Sequence, residues 1–407
     1  MRFLYIAISY PDVEHTTSMY TSLVKGLVSA GHEVRVIAPT FKGVTQVSLE
    51  GGIPVLRVRS GQIFATHLII KGFNTILLNA RYTRAFRRFW TNWSMDWILT
   101  STPPITLSPL LSKLKVKYNA KIYLILRDIF PQNAKDLSLI NNSLLFCYFR
   151  HRERQLYDIS DIIGCMSPAN ISFLQRQDPE ICNAKKLKDF PNWIKPTSFK
   201  DTQKGRINLR SCFNLEGKFV AVFGGNFGIP QQVDFIIDLA ASVQNLTDVV
   251  FFLIGDGTEK KRIMRIVQER CLKNVTFCDP LPREDYQSLI QEADIGLVCL
   301  NSRFTIPNIP SRTLGYWDAC LPVLAATDRF TDYNCNILEK YNAGLWAETG
   351  DIVTFKHQFM KLYTDRKLRE TMGINGKNAV NSVFSLQSAV RRMMEQIEEC
   401  VAMEKVG

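Results

Sequence analysis

Apolar runs of strand length alternate with longer helical patterns along this chain, and the alternation occurs twice, on either side of a polar break. In the first half "FLYIAIS" leads to a helical pattern through "SMYTSLVKGLVSAGH" and then to "EVRVIAP", a β-α-β unit whose helix is closed by Gly31. Further strands are expected at "WILTST", "KIYLILRD" and "IIGCMS", with "LLFCYFRHRERQLYDI" helical before the last. Between Lys185 and Arg206 the pattern breaks into "KKLKDFPNWIKPTSFKDTQKGR", which has the composition of a linker. Beyond it the alternation restarts at "KFVAVFGG" and continues through "VVFFLIG", "NVTFC" and "IGLVCL", and from about Asp351 the remainder is helical. The expected fold class is α/β, with two doubly wound, Rossmann-like domains at residues 1–195 and 196–384. Two such domains set face to face would leave a cleft lined by strand-end loops, where ligands of open α/β sheets bind.

A chain of 407 residues suits this division, being too long for one ordinary core. Its 46% hydrophobic and 22% charged residues describe a packed globular protein, and no repeat or low-complexity tract interrupts it. The net charge of +12 favours anionic partners such as nucleotides, phosphorylated lipids or acidic membranes. Nucleic acid is not expected, because no recognition motif accompanies the basic residues. The ten cysteines include no C-x-x-C pair and read as thiols in a reducing compartment, and the five histidines show no metal-ligand spacing. The opening "MRFLYIAISYPDVE" fits a first strand better than a signal peptide, and no apolar window reaches about 18 residues, so a cytoplasmic location is expected.

The loop after "VAVFGG" carries Gly224, Gly225, Asn226 and Gly228, then Pro230 and a helix expected near Gln232. Glycines let backbone amides approach a phosphate, and a helix N-terminus adds partial positive charge. The loop is neither a G-x-G-x-x-G fingerprint nor a P-loop, and a tight strand-to-helix turn without ligand fits it too. A second turn, "IGDGTEKKR", places Gly255, Asp256 and Gly257 before Lys260, Lys261 and Arg262; the basic residues also fit a solvated helix face. In "IPSRTLGYWDACLPVLAAT", Pro310 and Ser311 fit a helix start, with Arg312 and Thr313 in the first turn. Free first-turn amides and the Arg312 guanidinium would suit a diphosphate, as an ordinary cap with Arg312 in solvent would equally fit the pattern.

In the first half, "LILRDIFPQ" sets Arg127 and Asp128 just past a buried strand, where Asp128 could orient a hydroxyl, accept a proton, or cap the following turn. His15 lies in the first strand-end loop. Finally, "ARYTRAFRRFWTNW" at 80–93 mixes Arg81, Arg84, Arg87 and Arg88 with Tyr82, Phe86, Phe89 and Trp90, a pattern shared by interfacial membrane helices and by amphipathic helices packed on their own domain.

Taken in order, "SAGHEVRVIAP", "TSTPPI", "LRDIFPQ", "FPNWI", "GGNFGIPQ", "IGDG", "PLPREDYQSLIQEADIGLV" and "IPSRTLGYWDACLPVLAATD" resemble the retaining GT-B glycosyltransferases of family 4. Within them the resemblance is to the L-fucosamine transferase-like branch of bacterial O-antigen and capsule assembly. It implies metal-independent transfer of a sugar, an N-acetylated hexosamine, from a UDP-sugar donor to a polyprenyl-diphosphate-linked glycan, with no cofactor beyond the donor. It further implies that the donor is held by the second domain, that the last helix, 385–407, crosses back to the first, and that the protein sits peripherally at the inner membrane face, with 80–93 as the candidate contact. Asp128 and Arg312 are then the catalytic candidates. Gly225, Asn226, Gln231, Gly255 and Asp256 are donor-binding candidates, with Lys260, Leu281, Pro310, Ser311 and Thr313; Glu14, His15 and Thr17 are acceptor-side candidates. The chain departs from the wider pattern where Asn226 and Gln231 replace an Arg and Lys pair, where Pro307 and Gly315 replace two glutamates, and where paired glycines are absent near Glu14 to Thr17. A GT-B sugar-nucleotide epimerase and a non-catalytic assembly partner are the alternative readings.

Overall fold

A computed structural model describes residues 1–12, 18–41, 43–61, 68–197 and 209–406. The chain divides into two compact units, Met1–Pro191 with Leu386–Gly407, and Asn192–Ser385.

The first unit is built on an eight-stranded sheet of β1 (Arg2–Ile6), β2 (Glu33–Thr40), β3 (Gln46–Glu50), β4 (Ile53–Arg59), β5 (Trp97–Ser101), β6 (Lys121–Ile125), β7 (Ile162–Cys165) and β8 (Leu187–Asp189). Their order is β3-β4-β2-β1-β5-β6-β7-β8, with β3 alone antiparallel to its neighbour. Strand order therefore reverses between β1 and β5, the switch point at which the loops on either side diverge. Two strands, β3 and β4, form a hairpin that the sequence reading passed over. A third, β8, corrects the expected linker: Leu187 and Phe190 are buried, which is enough to seat a three-residue strand beside β7.

The last helix, Leu386–Val406, belongs to this first unit. It packs so closely on the helix Met19–Ser29 that a Cβ at Gly26 would stand 2.8 Å from Val390. Gln396 fixes its register, accepting from the Tyr123 hydroxyl at 2.6 Å and donating to the Asp189 carbonyl at 2.8 Å.

The second unit carries a six-stranded, wholly parallel sheet of β9 (Phe219–Gly224), β10 (Val249–Ile254), β11 (Val275–Cys278), β12 (Ile295–Cys299), β13 (Val323–Thr327) and β14 (Gly344–Glu348). The order β11-β10-β9-β12-β13-β14 puts the switch point between β9 and β12. Both faces are covered, which is why these strands read as unbroken apolar runs. Along β9, Phe219, Ala221 and Phe223 join one core cluster with Phe235, Phe355 and Phe359, while Val220 and Val222 join another with Leu289, Leu314 and Trp317. Asp351 and Asp365 cap the helices Ile352–Thr364 and Arg366–Ser382, accepting from the amides of Thr354 and Leu368. Among the described residues no helix is long and apolar enough to cross a membrane.

Candidate functional site

At the switch point of the second unit, the loops after β9 and β10 cross backbone to backbone. A Cβ on Gly255 would lie 1.9 Å from the Gly225 carbonyl oxygen, and both glycines hold positive φ, +139° and +144°. The buried Phe227, edge-on to Phe223 at 5.6 Å, anchors the crossing. Its amide donates to the Asp256 carbonyl and its own carbonyl accepts from the Glu259 amide. Tyr316 supports it from below: the Gly224 amide donates to the Tyr316 hydroxyl at 3.0 Å, and the Tyr316 ring occupies the space that any side chain at Gly296 would need. Asn226 is exposed, with its amide set between Gly228 and Gly257, so that neither position has room for a Cβ without displacing it.

This geometry engages part of the expected glycine-amide cradle. The Gly225 amide donates to Ile254, that of Gly255 to Cys278, and those of Gly224 and Phe227 are bonded as above, so these four donors are spent inside the protein. The glycines serve the close crossing of two loops. The following helix also begins later than expected: a 3-10 turn, Ile229–Gln231, and a left-handed Gln232 precede Asp234–Ser242. Asp234 in its first turn takes both arms of Arg262 at 2.6 and 2.8 Å, so that this helix terminus already carries a carboxylate.

Among the described residues, Arg312 is a cation placed to meet an anion at this crossing. It is half-buried, with its guanidinium carbon 4.4 Å above the Phe223 ring and its nitrogens 3.1–3.3 Å from where a Gly225 Cβ would stand. One nitrogen, Nη2, donates to Gln231 Oε1; the other, Nη1, is buried with no partner among the described residues. A cation removed from water without a counter-charge is destabilised, and an anion placed beside it recovers that loss. The helix that carries it, Arg312–Asp318, contributes less than expected. Ser311 makes no capping bond, and the amides of Thr313 and Leu314 already donate to Pro310 and Ser311. Thr313 turns inward, buried, with its hydroxyl bonded to Tyr333.

Lys260 reaches the same crossing but is engaged, donating to the Gly255 carbonyl at 2.8 Å and pairing with Asp279 at 2.6 Å. Asp256 is exposed and accepts from the Gly257 amide, and Leu281 is half-buried against the core of the unit. The structure thus brings Gly225, Asn226, Gln231, Gly255, Asp256, Lys260, Ser311 and Arg312 to the carboxyl end of one sheet, with Pro310 beside them. No local signal in the sequence marks the bond between Tyr316 and Gly224.

The first unit presents a different arrangement at the end of β6. Thr102 Oγ1 accepts from the amides of both Arg127 and Asp128, at 2.9 and 3.2 Å, and sets the turn. Arg127 points inward, and its guanidinium donates to the carbonyls of Phe190 and Pro191. Asp128 keeps an exposed side chain, yet protein crowded around it desolvates the carboxylate and raises its pKa to about 6, against the lowering pull of Arg127. Glu14, His15 and Thr17 lie outside the described residues.

In the segment 80–93 most of the aromatic residues are spent on the core, and Phe89 is half-buried. Tyr82, Phe86 and Trp90 are buried, and the Tyr82 hydroxyl donates to the Ala7 carbonyl at 2.8 Å. Arg84, Arg87 and Arg88 remain exposed, but Tyr82, Phe86 and Trp90 of the expected membrane contact are not available there.

Residues 207–379 match the family described as "Glycosyl transferases group 1". The chain is 23% identical to the putative colanic acid biosynthesis glycosyl transferase WcaI of Escherichia coli K12, over 71% of this chain and 73% of that one. Its fold is similar to that of sucrose-phosphate synthase from Thermosynechococcus elongatus, with a TM-score of 0.77 at 14% identity over 99% of this chain and 100% of that chain. It is also similar to Anabaena HepE in complex with UDP-glucose, with a TM-score of 0.69 at 15% identity, over 98% and 99% of the two chains. The match to the glycosyl transferases group 1 model thus lies within the second unit, in a chain of two Rossmann-like units that has the fold of the GT-B glycosyltransferases.

Proposed function

We propose that this protein is a retaining, metal-independent glycosyltransferase of the L-fucosamine transferase-like branch. It moves an N-acetylated hexosamine from a UDP-sugar to a polyprenyl-diphosphate-linked glycan at the cytoplasmic face of a bacterial membrane. One observation carries the reading: in a group 1 domain, at the switch point of its sheet, Arg312 lies over Gly225 with a buried nitrogen that has no partner among the described residues. A UDP-glucose complex of HepE and the colanic acid assignment of WcaI support a UDP-sugar donor and a surface-polysaccharide setting.

In the proposed step the bond between the anomeric carbon and the diphosphate oxygen breaks, and its electron pair leaves with UDP. The acceptor hydroxyl oxygen bonds to that carbon from the same face, and its proton passes to the departing diphosphate. Arg312 offsets the charge that builds on the diphosphate, and Gln231 orients the guanidinium. Asn226 and Ser311, both exposed beside it, are donor contacts in this reading, and Asp128 orients the acceptor hydroxyl.

The test is UDP release and sugar transfer by the purified protein across a set of UDP-sugars. Arg312→Ala is expected to lower kcat by about 10²-fold, roughly 2.7 kcal/mol of transition-state stabilisation. UDP binding and turnover that are unchanged in Arg312→Ala would remove the assignment. Epimerised UDP-sugar appearing without acceptor would make the protein an epimerase, and absence of UDP binding by calorimetry would make it a non-catalytic partner.

A further inference from the structure

The helix Ser143–Ile159 has two unlike halves. Its buried residues are Glu153, Leu156 and Tyr157, all in the second half, whereas no residue from Ser143 to Arg152 is buried. That first half reads "SLLFCYFRHR". Leu144 is 82% exposed, Leu145 45% and Tyr148 36%, and Leu139, just ahead of the helix, is 54% exposed. Single exposed apolar residues are ordinary, but a contiguous group of this kind marks a contact surface.

The charges around the patch identify the occupant. From Ile129 to Arg152 the chain holds one acid, Asp136, against Lys135, Arg150 and Arg152. Asp136 accepts from Gln132, and Arg150 is turned inward to Glu153 and Asp178. Lys135 and Arg152 flank the patch, with Lys135 4.5 Å from the Phe146 ring centroid and Arg152 5.4 Å from that of Tyr148. Aliphatic side chains at the centre, an aromatic ring beside them and cations at the rim match the layers of an anionic lipid surface: acyl boundary, interface and headgroup.

We infer that Leu139, Leu144, Leu145 and Tyr148, rimmed by Lys135 and Arg152, form a docking face for an anionic lipid bilayer. The face replaces the segment 80–93 as the membrane contact, and it stands independently of the donor reading, because its test needs no turnover.

The test is flotation of the full chain with phosphatidylglycerol-containing vesicles and with phosphatidylcholine vesicles. The wild type is expected to float with the anionic vesicles and to be released by high salt. The triple variant Leu144→Ser, Leu145→Ser, Tyr148→Ser should lose about tenfold or more of that binding. It should keep the wild-type thermal transition, since these side chains are exposed. Lys135→Glu with Arg152→Glu should weaken binding to anionic vesicles alone. The inference is overturned if the wild type does not float, or if the triple variant floats like the wild type. It is also overturned if reversing Arg84, Arg87 and Arg88 releases the protein while the triple variant stays bound, or if the triple variant abolishes a concentration-dependent dimer without changing flotation.

Discussion

The carboxyl ends of the two sheets are built from opposite materials. In the second unit, backbone crosses backbone at Gly225 and Gly255, and one guanidinium lies over the crossing with a buried nitrogen to spare. In the first unit, a threonine hydroxyl gathers two amides, the arginine is turned into protein carbonyls, and an aspartate is left facing outward. One end therefore offers a positive charge in a rigid frame, which suits an anion. The other offers a carboxylate whose affinity for a proton has been raised, which suits a hydroxyl group. The difference shows that strand ends of two similar sheets acquire different chemistry according to which charge the local hydrogen bonds consume.

The largest expected effect comes from breaking the frame of the second unit. In Gly255→Ala the new methyl would stand 1.9 Å from the Gly225 oxygen at a φ of +139°, and backbone on both sides leaves no flexible group to yield. Overpacking and left-handed strain together are expected to destabilise the protein by roughly 3 to 5 kcal/mol, read from urea unfolding. UDP binding should fall with it, because Arg312 packs on the same crossing. Wild-type stability in this variant would mean that the loops are held by something other than their glycines.

A smaller effect is expected at the carboxylate of the first unit. With a pKa of about 6, Asp128 is ionised at neutral pH and protonated below it, so transfer activity should rise as pH increases through about 6. Asp128→Asn should flatten that rise. The stability effect has the opposite sign: the folded pKa lies above the ordinary value near 3.9, so folded protein holds a proton that unfolded chain has released between about pH 4 and 6. Asp128 therefore costs stability as pH rises across that window, and Asp128→Asn should melt higher relative to wild type at pH 7 than at pH 4. A pH–rate profile unchanged by the substitution would separate Asp128 from the chemistry.

What could be read from the sequence follows the same physical divide. Strands buried on both faces, such as "VAVFG" and "VVFFLI", were legible because every residue is apolar. The strands β3, β4, β8 and β14 were not, being short, mixed in composition or set in polar surroundings; the Gly51–Gly52 turn, with φ of +56° and +80°, was the one signal of the β3–β4 hairpin. At the site, glycine loops announce themselves by composition, as does an arginine after Pro-Ser. Which amides are free does not, because it depends on partners such as Tyr316, 92 positions from Gly224. Lys260 illustrates the limit in charge: the acid beside it in sequence, Glu259, pairs with Arg262, while the acid that neutralises it, Asp279, lies 19 positions away.

The smallest effect tests whether glycine at the second unit's site is always a matter of space. Gly315 lies in the helix Arg312–Asp318 where the wider resemblance places a glutamate, and a Cβ there would meet nothing within 4 Å. It borders a small pocket of about 140 Å³ shared with Arg283, Tyr286, Gln287 and Asp318. Unlike Gly225 and Gly255, it has no positive φ to preserve. Gly315→Ala should therefore stabilise the protein by about 0.5–1 kcal/mol through the lower helix propensity of glycine, with UDP binding unchanged. A stabilised protein with weakened UDP binding would show that the open space at Gly315 is used by the donor. The second unit would then recognise its ligand by a missing side chain as well as by the charge of Arg312.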